Sequence, residues 1–385
     1  MEKGDLGGFE VSHANACGYQ NTAFPAFDSL YLGGGTPSLL NAEQLTALVN
    51  TLRRHFDFAE DTEFTLEANP DDITGEKLCL YRDLGINRLS LGVQSFDEQE
   101  LIFLQRRHTP RQTMAAIEQI RAAGFDNLGL DLMYGLPGQS QKTWRRTLET
   151  ALSLAPEHLS CYQLTVSAGE TPALPTAFAR RMARGEFNLP DEEAQREFFL
   201  VTRKFLEDQG YIPYEISNFA RQENHRPEAC ATTAAYRGGE PQAGGLCHYD
   251  SQAGSLRYHF CRHNCKYWNH TPYLGLGPAA HSFKEGQRWW NLSSVKGYCA
   301  ALNAGQAPVA GSECLTPEQL RLEAIYLGFR TKEGVPLEVI QQQSGWQASL
   351  LELEQAGLVR LINGRVTATA QGLVVADRLP LRFAN

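Results

Sequence analysis

The sequence predicts an α/β protein built on a parallel sheet, open or barrel-like, followed by a small winged-helix-like unit. Three observations carry this. Between residues 28 and 165, short apolar runs alternate with amphipathic stretches of helical period. The polar residues with useful chemistry collect at the ends of the apolar runs, where α/β folds place their ligands. From about Leu315 the order becomes helix, helix, helix, hairpin.

At 385 residues the chain is long enough for more than one domain, and 42% hydrophobic residues supply an ample core. Lys+Arg 35 against Asp+Glu 44 leaves a net charge of −9, which argues against nucleic-acid or anionic-membrane binding. No apolar run could span a bilayer. The N-terminus lacks the apolar stretch of a signal peptide, and the expected location is cytosolic. The nine cysteines then read as free thiols or metal ligands, not as a disulfide frame.

The elements follow in order. "DSLYL" ends in Gly33, Gly34 and Gly35, then Thr36-Pro37. Three residues without side chains mark a tight turn or a backbone that something must approach. Asn41 with Gln44 forms a capping box before "AEQLTALVNTLRRHF". The second run ends in Glu67-Ala68-Asn69-Pro70, and Gly85 stops the helix after it. The third run ends in Gln94 and Ser95, where Ser95 and Glu98 predict a second capping box. Thr109-Pro110 opens a helix that Gly124 stops. The fourth run contributes Asp131 and "YGLPGQ", and the fifth Gln163 and Thr165. One polar residue at a strand end is ordinary; five in succession mark a ligand-facing rim.

Residues 190–208 predict a long helix stopped by Gly210, and "PYEISNFA" (213–220) a strand. Residues 221–260 have no apolar period and read as a long irregular insertion. Cys230 and Cys247, with His225, His248 and His259, match no zinc spacing. Cys79 and Cys161 read as small core residues. From Leu315 on, Thr316-Pro317 opens a helix through Phe329, "PLEVIQQQSG" and "WQASLLELEQAG" are two more, and "LVRLINGRVTAT" is a hairpin about Asn363-Gly364. The second and third of these helices carry no cationic run, so packing or a lid role fits better than DNA binding. The expected division is an atypical segment 1–27, an α/β domain 28–312 carrying the insertion 221–260, and a C-terminal domain 313–385.

"GGGTPSLL", "LEANP", "RLSLGVQSF", "LDLMYGLPGQ", "YEISNFA" and "RHNCKYWNHTPYLGLGPAAHS" occur in this order. Together they resemble the radical-SAM family that includes oxygen-independent coproporphyrinogen oxidase and the HemW-type haem chaperone. The resemblance runs from about residue 25 to 383, the insertion excepted, and its final segment resembles the family's C-terminal domain. It implies a partial (β/α) barrel of TIM-like form. It also implies a site for S-adenosylmethionine (SAM): Gly34 and Gly35 against the amino group with the Thr36 hydroxyl beside them, then Glu67, Gln94, Arg106, Asp131 and Thr165. In that site Glu67 would meet the ammonium, Arg106 the carboxylate and Asp131 the ribose hydroxyls. "HNCKYW" fits the His-Asn-x-x-Tyr-Trp pattern of HemW-like proteins. It implies His263 as a haem ligand beside Tyr267 and Trp268, with His281 as the substitute. The bland alternative is that His263 and Asn264 tie a loop to the sheet.

The family's Cys-x-x-x-Cys-x-x-Cys motif, which holds a [4Fe–4S] cluster, has no counterpart here. Only Cys17 precedes Gly33, and a strand, crossover and next strand need roughly 30 residues or more. The first strand, cluster loop and first helix of the family are therefore expected to be absent or replaced, leaving a sheet edge bare or covered by residues 1–27. The expected function is a haem chaperone that binds haem, and SAM weakly at best, and serves an unnamed protein acceptor. The alternatives are coproporphyrinogen III oxidase, which needs the cluster, and an inactive truncated or mis-started member of the family.

Overall fold

The computed structural model describes residues 24, 26–166, 176–222 and 259–383. Residues 1–23 and 223–258, with Cys17, Cys230, Cys247, His225 and His248, lie outside that set.

Seven strands form the central sheet. They are β1 (Phe27–Leu32), β2 (Phe58–Ala68), β3 (Arg88–Gln94), β4 (Leu128–Tyr134), β5 (His158–Gln163), β6 (Tyr211–Pro213) and β7 (Asn218–Arg221), in the order β1-β2-β3-β4-β5-β7-β6. The first five are parallel neighbours. Period-2 alternation decides what each face does. Phe64, Leu66, Leu89, Leu91, Val93, Leu128, Leu130 and Leu132 are buried in the main core, which also takes Leu45, Val49, Ile117, Trp144 and Leu148 from the crossover helices. The intervening positions, Glu63, Thr65, Glu67, Arg88, Ser90, Gly92, Asp131 and Ser160, fall on the opposite, polar face.

Several helix ends fall where the sequence puts them. Asn41 with Gln44 forms the expected capping box, Thr109 caps the helix it opens, and Gly85 and Gly124 adopt φ of 75° and 81° after their helices. Three expectations need correction. Ser95 and Glu98 make no box: Asp97 is the cap, accepting from the Gln99 and Glu100 N–H groups, while the Ser95 hydroxyl donates to the buried Glu100 carboxylate at 2.5 Å. "PYEISNFA" is no single strand. The Glu215 carboxylate accepts from the Ser217 N–H at 2.8 Å, and the Tyr214 N–H donates to the Asn218 carbonyl at 3.1 Å. That turn splits the stretch into β6 and β7, and β7 returns antiparallel to β5. "PLEVIQQQSG" yields a helix of only four residues, Leu337–Ile340.

Among the described residues β1 lies at the sheet's edge. The helix Arg262–Tyr267 packs against it. Glu63 accepts from the backbone N–H groups of Arg262 and His263, both at 3.2 Å, and Lys266 pairs with Asp28. A distant segment thus covers part of the edge strand.

Two smaller antiparallel sheets follow. β8 (His281–Lys284), β9 (Gln287–Asn291) and β10 (Val309–Cys314) are ordered β10-β9-β8. β11 (Val335–Pro336), β12 (Val359–Ile362) and β13 (Arg365–Ala368) are ordered β11-β13-β12. With the helices Pro317–Gly328, Leu337–Ile340 and Trp346–Gln355 they make the winged-helix-like unit, which has its own core around Ile325, Phe329, Val335 and Val366. No helix among the described residues is long and apolar enough to cross a membrane.

Candidate functional site at the glycine-ended strand

The end of β1 meets the end of β2 through a carboxylate. Glu67 accepts from the Tyr31 hydroxyl at 2.7 Å on one oxygen and from the Gly34 N–H at 3.2 Å on the other. This explains the first glycine. A Cβ on Gly33 would stand 2.5 Å from the Tyr31 ring and 2.7 Å from the Glu67 carboxyl group. Gly34 is needed for another reason, its φ of 76°. Above Gly34 and Gly35 there is open space: a Cβ on either would meet no atom within 4 Å. The glycine run therefore presents bare backbone beside a fixed carboxylate.

Asp131 stands on the polar face between neighbours that β3 and β5 supply. The Ser90 hydroxyl reaches its oxygens at 3.1 and 3.3 Å, and Ser160 is its partner in the β4–β5 register. Burial pushes its carboxyl up to about 6 and the Glu67 charge adds to the shift, while the Ser160 and Ser90 hydroxyls and Arg88 oppose it. Burial and the same two carboxylates, Glu67 and Asp131, push the Tyr31 phenol far upward, so it remains a donor.

Arg106, Gln94 and Asn69 converge on Gly92. A Cβ there would lie 3.0 Å from the Arg106 guanidinium, 3.2 Å from the Gln94 amide and 3.4 Å from the Asn69 side-chain oxygen. Arg106 donates to Asn69 at 3.0 Å and to the Gly92 carbonyl at 3.1 Å. Burial lowers its pKa, opposed by Asp71 and Asp131. Gln94 adopts φ of 66°, an uncommon value for a residue with a side chain. Thr36 precedes a short 3₁₀ turn and its side chain makes no cap bond. Thr165 lies two residues past β5, exposed. The structure thus groups Gly34, Glu67 and Asp131 most closely, sets Arg106 and Gln94 beside them, and leaves Thr36 and Thr165 at the periphery. Tyr31, Ser90 and Ser160 complete the arrangement. No local motif marks them, and only the period-2 register places them facing Glu67 and Asp131.

The donors fit SAM chemically: a carboxylate for an ammonium, a second carboxylate for ribose hydroxyls, a guanidinium for a carboxylate, and unobstructed backbone between. They do not fit an iron–sulfur cluster. Among the described residues no group of three His, Cys, Asp or Glu could hold a metal. Cys79, Cys161, Cys261, Cys265 and Cys299 are reduced thiols, of which Cys161 and Cys261 are buried and Cys79, expected in the core, is exposed. Cys314, for which the sequence carries no signal, is disulfide-bonded.

Both ring nitrogens of His263 have a hydroxyl neighbour. Its Nε2 lies 2.8 Å from the Tyr267 hydroxyl and its Nδ1 3.4 Å from the Ser29 hydroxyl. Its ring stacks on Tyr31 at 4.8 Å. Burial, aided by Lys266, lowers its pKa to about 4. These contacts tie the helix Arg262–Tyr267 to the edge strand.

Residues 21–151 match the radical SAM superfamily and residues 315–375 the HemN C-terminal domain. The class is therefore a radical-SAM-type α/β domain joined to a HemN C-terminal domain. Its fold is similar to that of coproporphyrinogen III oxidase (HemN) from Escherichia coli, with TM-score 0.68 and 24% identity, over 93% of this chain and 78% of that one. The chain is 33% identical to the "Heme chaperone HemW" of Mycobacterium tuberculosis over 92% of its own length and 80% of the relative's. It is 32% identical to that of Bacillus subtilis, over 93% and 86%. The chain belongs to the HemW family.

Proposed function

We propose that this protein is a haem chaperone: it binds haem and passes it to a protein acceptor. The observation that carries this is the similarity to HemW relatives along nearly the whole chain, 92% and 93% of it for two bacteria. The glycine-ended rim is then a SAM site in which Gly34, Gly35, Thr36, Glu67, Gln94, Arg106, Asp131 and Thr165 serve as the binding set. Glu67 orients the ammonium, Arg106 meets the carboxylate and Asp131 accepts from the ribose. SAM held by this rim alone, without a cluster to chelate its methionine end, binds weakly.

A haem titration of the purified chain, read by its optical spectrum, tests the central claim. A saturable Soret shift is expected. A folded sample that shows none overturns the reading. Anaerobic reconstitution with iron and sulfide, followed by an assay for 5′-deoxyadenosine, tests the decarboxylase alternative; release of that product from SAM would favour the oxidase. Tight SAM binding by calorimetry without iron would contradict the weak-binding claim.

A further inference from the structure

Arg106 spends one terminal nitrogen on the Asn69 side chain and the Gly92 carbonyl. Its other guanidinium nitrogens make no hydrogen bond among the described residues, so part of the fork remains for a carboxylate. The turn that carries Arg106 decides where that fork points. The helix Glu98–Phe103 closes in a Schellman turn. The Arg106 N–H donates to the Leu101 carbonyl at 2.9 Å and the Gln105 N–H to the Ile102 carbonyl at 3.0 Å. Glycine usually takes the left-handed position of such a turn; here Gln105 does, with φ of 55°. A side chain in that region costs energy, so the turn needs support from its surroundings.

The helix Ala177–Ala183 supplies that support. Its Arg181 Nη1 donates to the carbonyl of Phe103, the last residue of the helix Glu98–Phe103, at 3.2 Å. The same guanidinium lies over three rings, Phe103 at 5.0 Å, Phe178 at 5.3 Å and Phe187 at 5.6 Å. Those rings also meet one another, Phe103 standing edge-on to Phe187 at 5.1 Å and 5.5 Å from Phe178. Glu186 accepts from the Arg181 Nε at 3.0 Å. Each aromatic face attracts the cation, and a cation at a helix C-terminus meets the negative end of the dipole. Next to this cage Leu104 packs with Leu136 and Leu164, from just past β4 and β5. Only Leu104 and Gln105 separate the carbonyl that Arg181 holds from Arg106.

We infer that Arg181 is a positioning residue for carboxylate recognition: it holds the turn after Phe103 so that the Arg106 fork faces the carboxylate of SAM. The inference rests on the SAM-site reading of the rim and adds to it a residue that touches no ligand. Glu67 and Asp131 sit on β2 and β4, outside this turn. Arg181 therefore acts on the carboxylate end of the ligand alone.

The test is equilibrium dialysis of the full chain against labelled SAM and against decarboxylated SAM, which lacks only the carboxylate. Circular dichroism confirms folding. Arg181→Met is the first variant, because a thioether packs well among aromatic rings while the donor to Phe103 is lost. It should weaken SAM binding roughly two- to thirtyfold, the range for a residue acting through a packed network, and leave decarboxylated SAM unchanged. Arg106→Ala should weaken SAM at least as much, and adding Arg181→Met to it should cause no further loss. Arg181→Lys keeps a cation among the rings without the guanidinium fork. It should show the same selective loss at smaller size, and it serves alone where Arg181→Met does not fold. Equal loss of both ligands, or no loss of SAM, overturns the inference and leaves the SAM site standing. A folded wild type that binds neither ligand overturns both.

Discussion

Glu67 is a carboxylate with a set orientation, because Tyr31 and Gly34 fix its two oxygens. Gly33 is the residue that makes room for this. Gly33→Ala is expected to displace Tyr31 or Glu67 and cost about 1–3 kcal/mol, the usual penalty of overpacking, measured by urea denaturation. Asp131 and His263 give opposite pH signatures. Asp131 moves from 3.8 to about 6 on folding, so within that window the native state holds more protons than the unfolded one. Stability therefore falls as pH rises through it, and above it the ionised carboxylate costs about 3 kcal/mol. Asp131→Asn should flatten this slope and raise the denaturation midpoint at neutral pH. His263 moves from 6.5 to about 4. There the unfolded state holds more protons, so its contribution is complete above 6.5 and is lost as pH falls toward 4. His263→Ala should remove that acid-side slope and cost about 1–3 kcal/mol, from hydroxyl partners left unsatisfied. A variant with the opposite slope in either case would contradict the assigned burial.

At the scale of elements, local signals were readable and tertiary ones were not. The capping box at Asn41, the cap at Thr109, the stops at Gly85 and Gly124, and the Asn363-Gly364 turn, with φ of 49° and 73°, all follow from neighbours a few residues apart. So did the rim, since strand ends carry its Glu67 and Asp131. Ser90 and Ser160 were not readable as members, because a serine in an apolar run shows its role only when the adjacent strand is in register. The return of β7 and the cover over β1 depend on Glu215 and Glu63 reaching backbone amides, one at a turn and one about 200 residues away. The misplaced cap has its own test. With Asp97 as the cap, Asp97→Ala should cost about 1 kcal/mol, while Glu98→Ala, at the position expected to close a box, should cost a few tenths at most. Ser95→Ala should cost more than a lost cap, because it strips a hydroxyl from the buried Glu100 carboxylate. Equilibrium melts of the three variants rank them.

At the scale of the molecule, polar contacts join two cores among the described residues. The main core lies around the parallel sheet and the second within the winged-helix-like unit. Between them, the Lys332 N–H donates to the Tyr214 carbonyl at 3.0 Å, Glu215 bridges to Thr331, and Arg196 donates to Gln371 at 2.7 Å. Glu323 is the link to the small sheet, with Arg288 at 2.7 Å and His270 at 3.2 Å on the same oxygen. A unit with its own core that is held by such contacts should loosen as a body before it unfolds. Glu323→Ala removes an acceptor shared by two bases and is expected to weaken docking by about 1–2 kcal/mol, since the pair is partly exposed. Hydrogen exchange read by mass spectrometry distinguishes this from general destabilisation. Peptides spanning Lys332 should exchange faster, while those around Ile325, Phe329 and Val366 keep their protection. Equal acceleration in both sets would mean that the C-terminal core depends on its docking. The winged-helix-like unit would then be part of one cooperative fold.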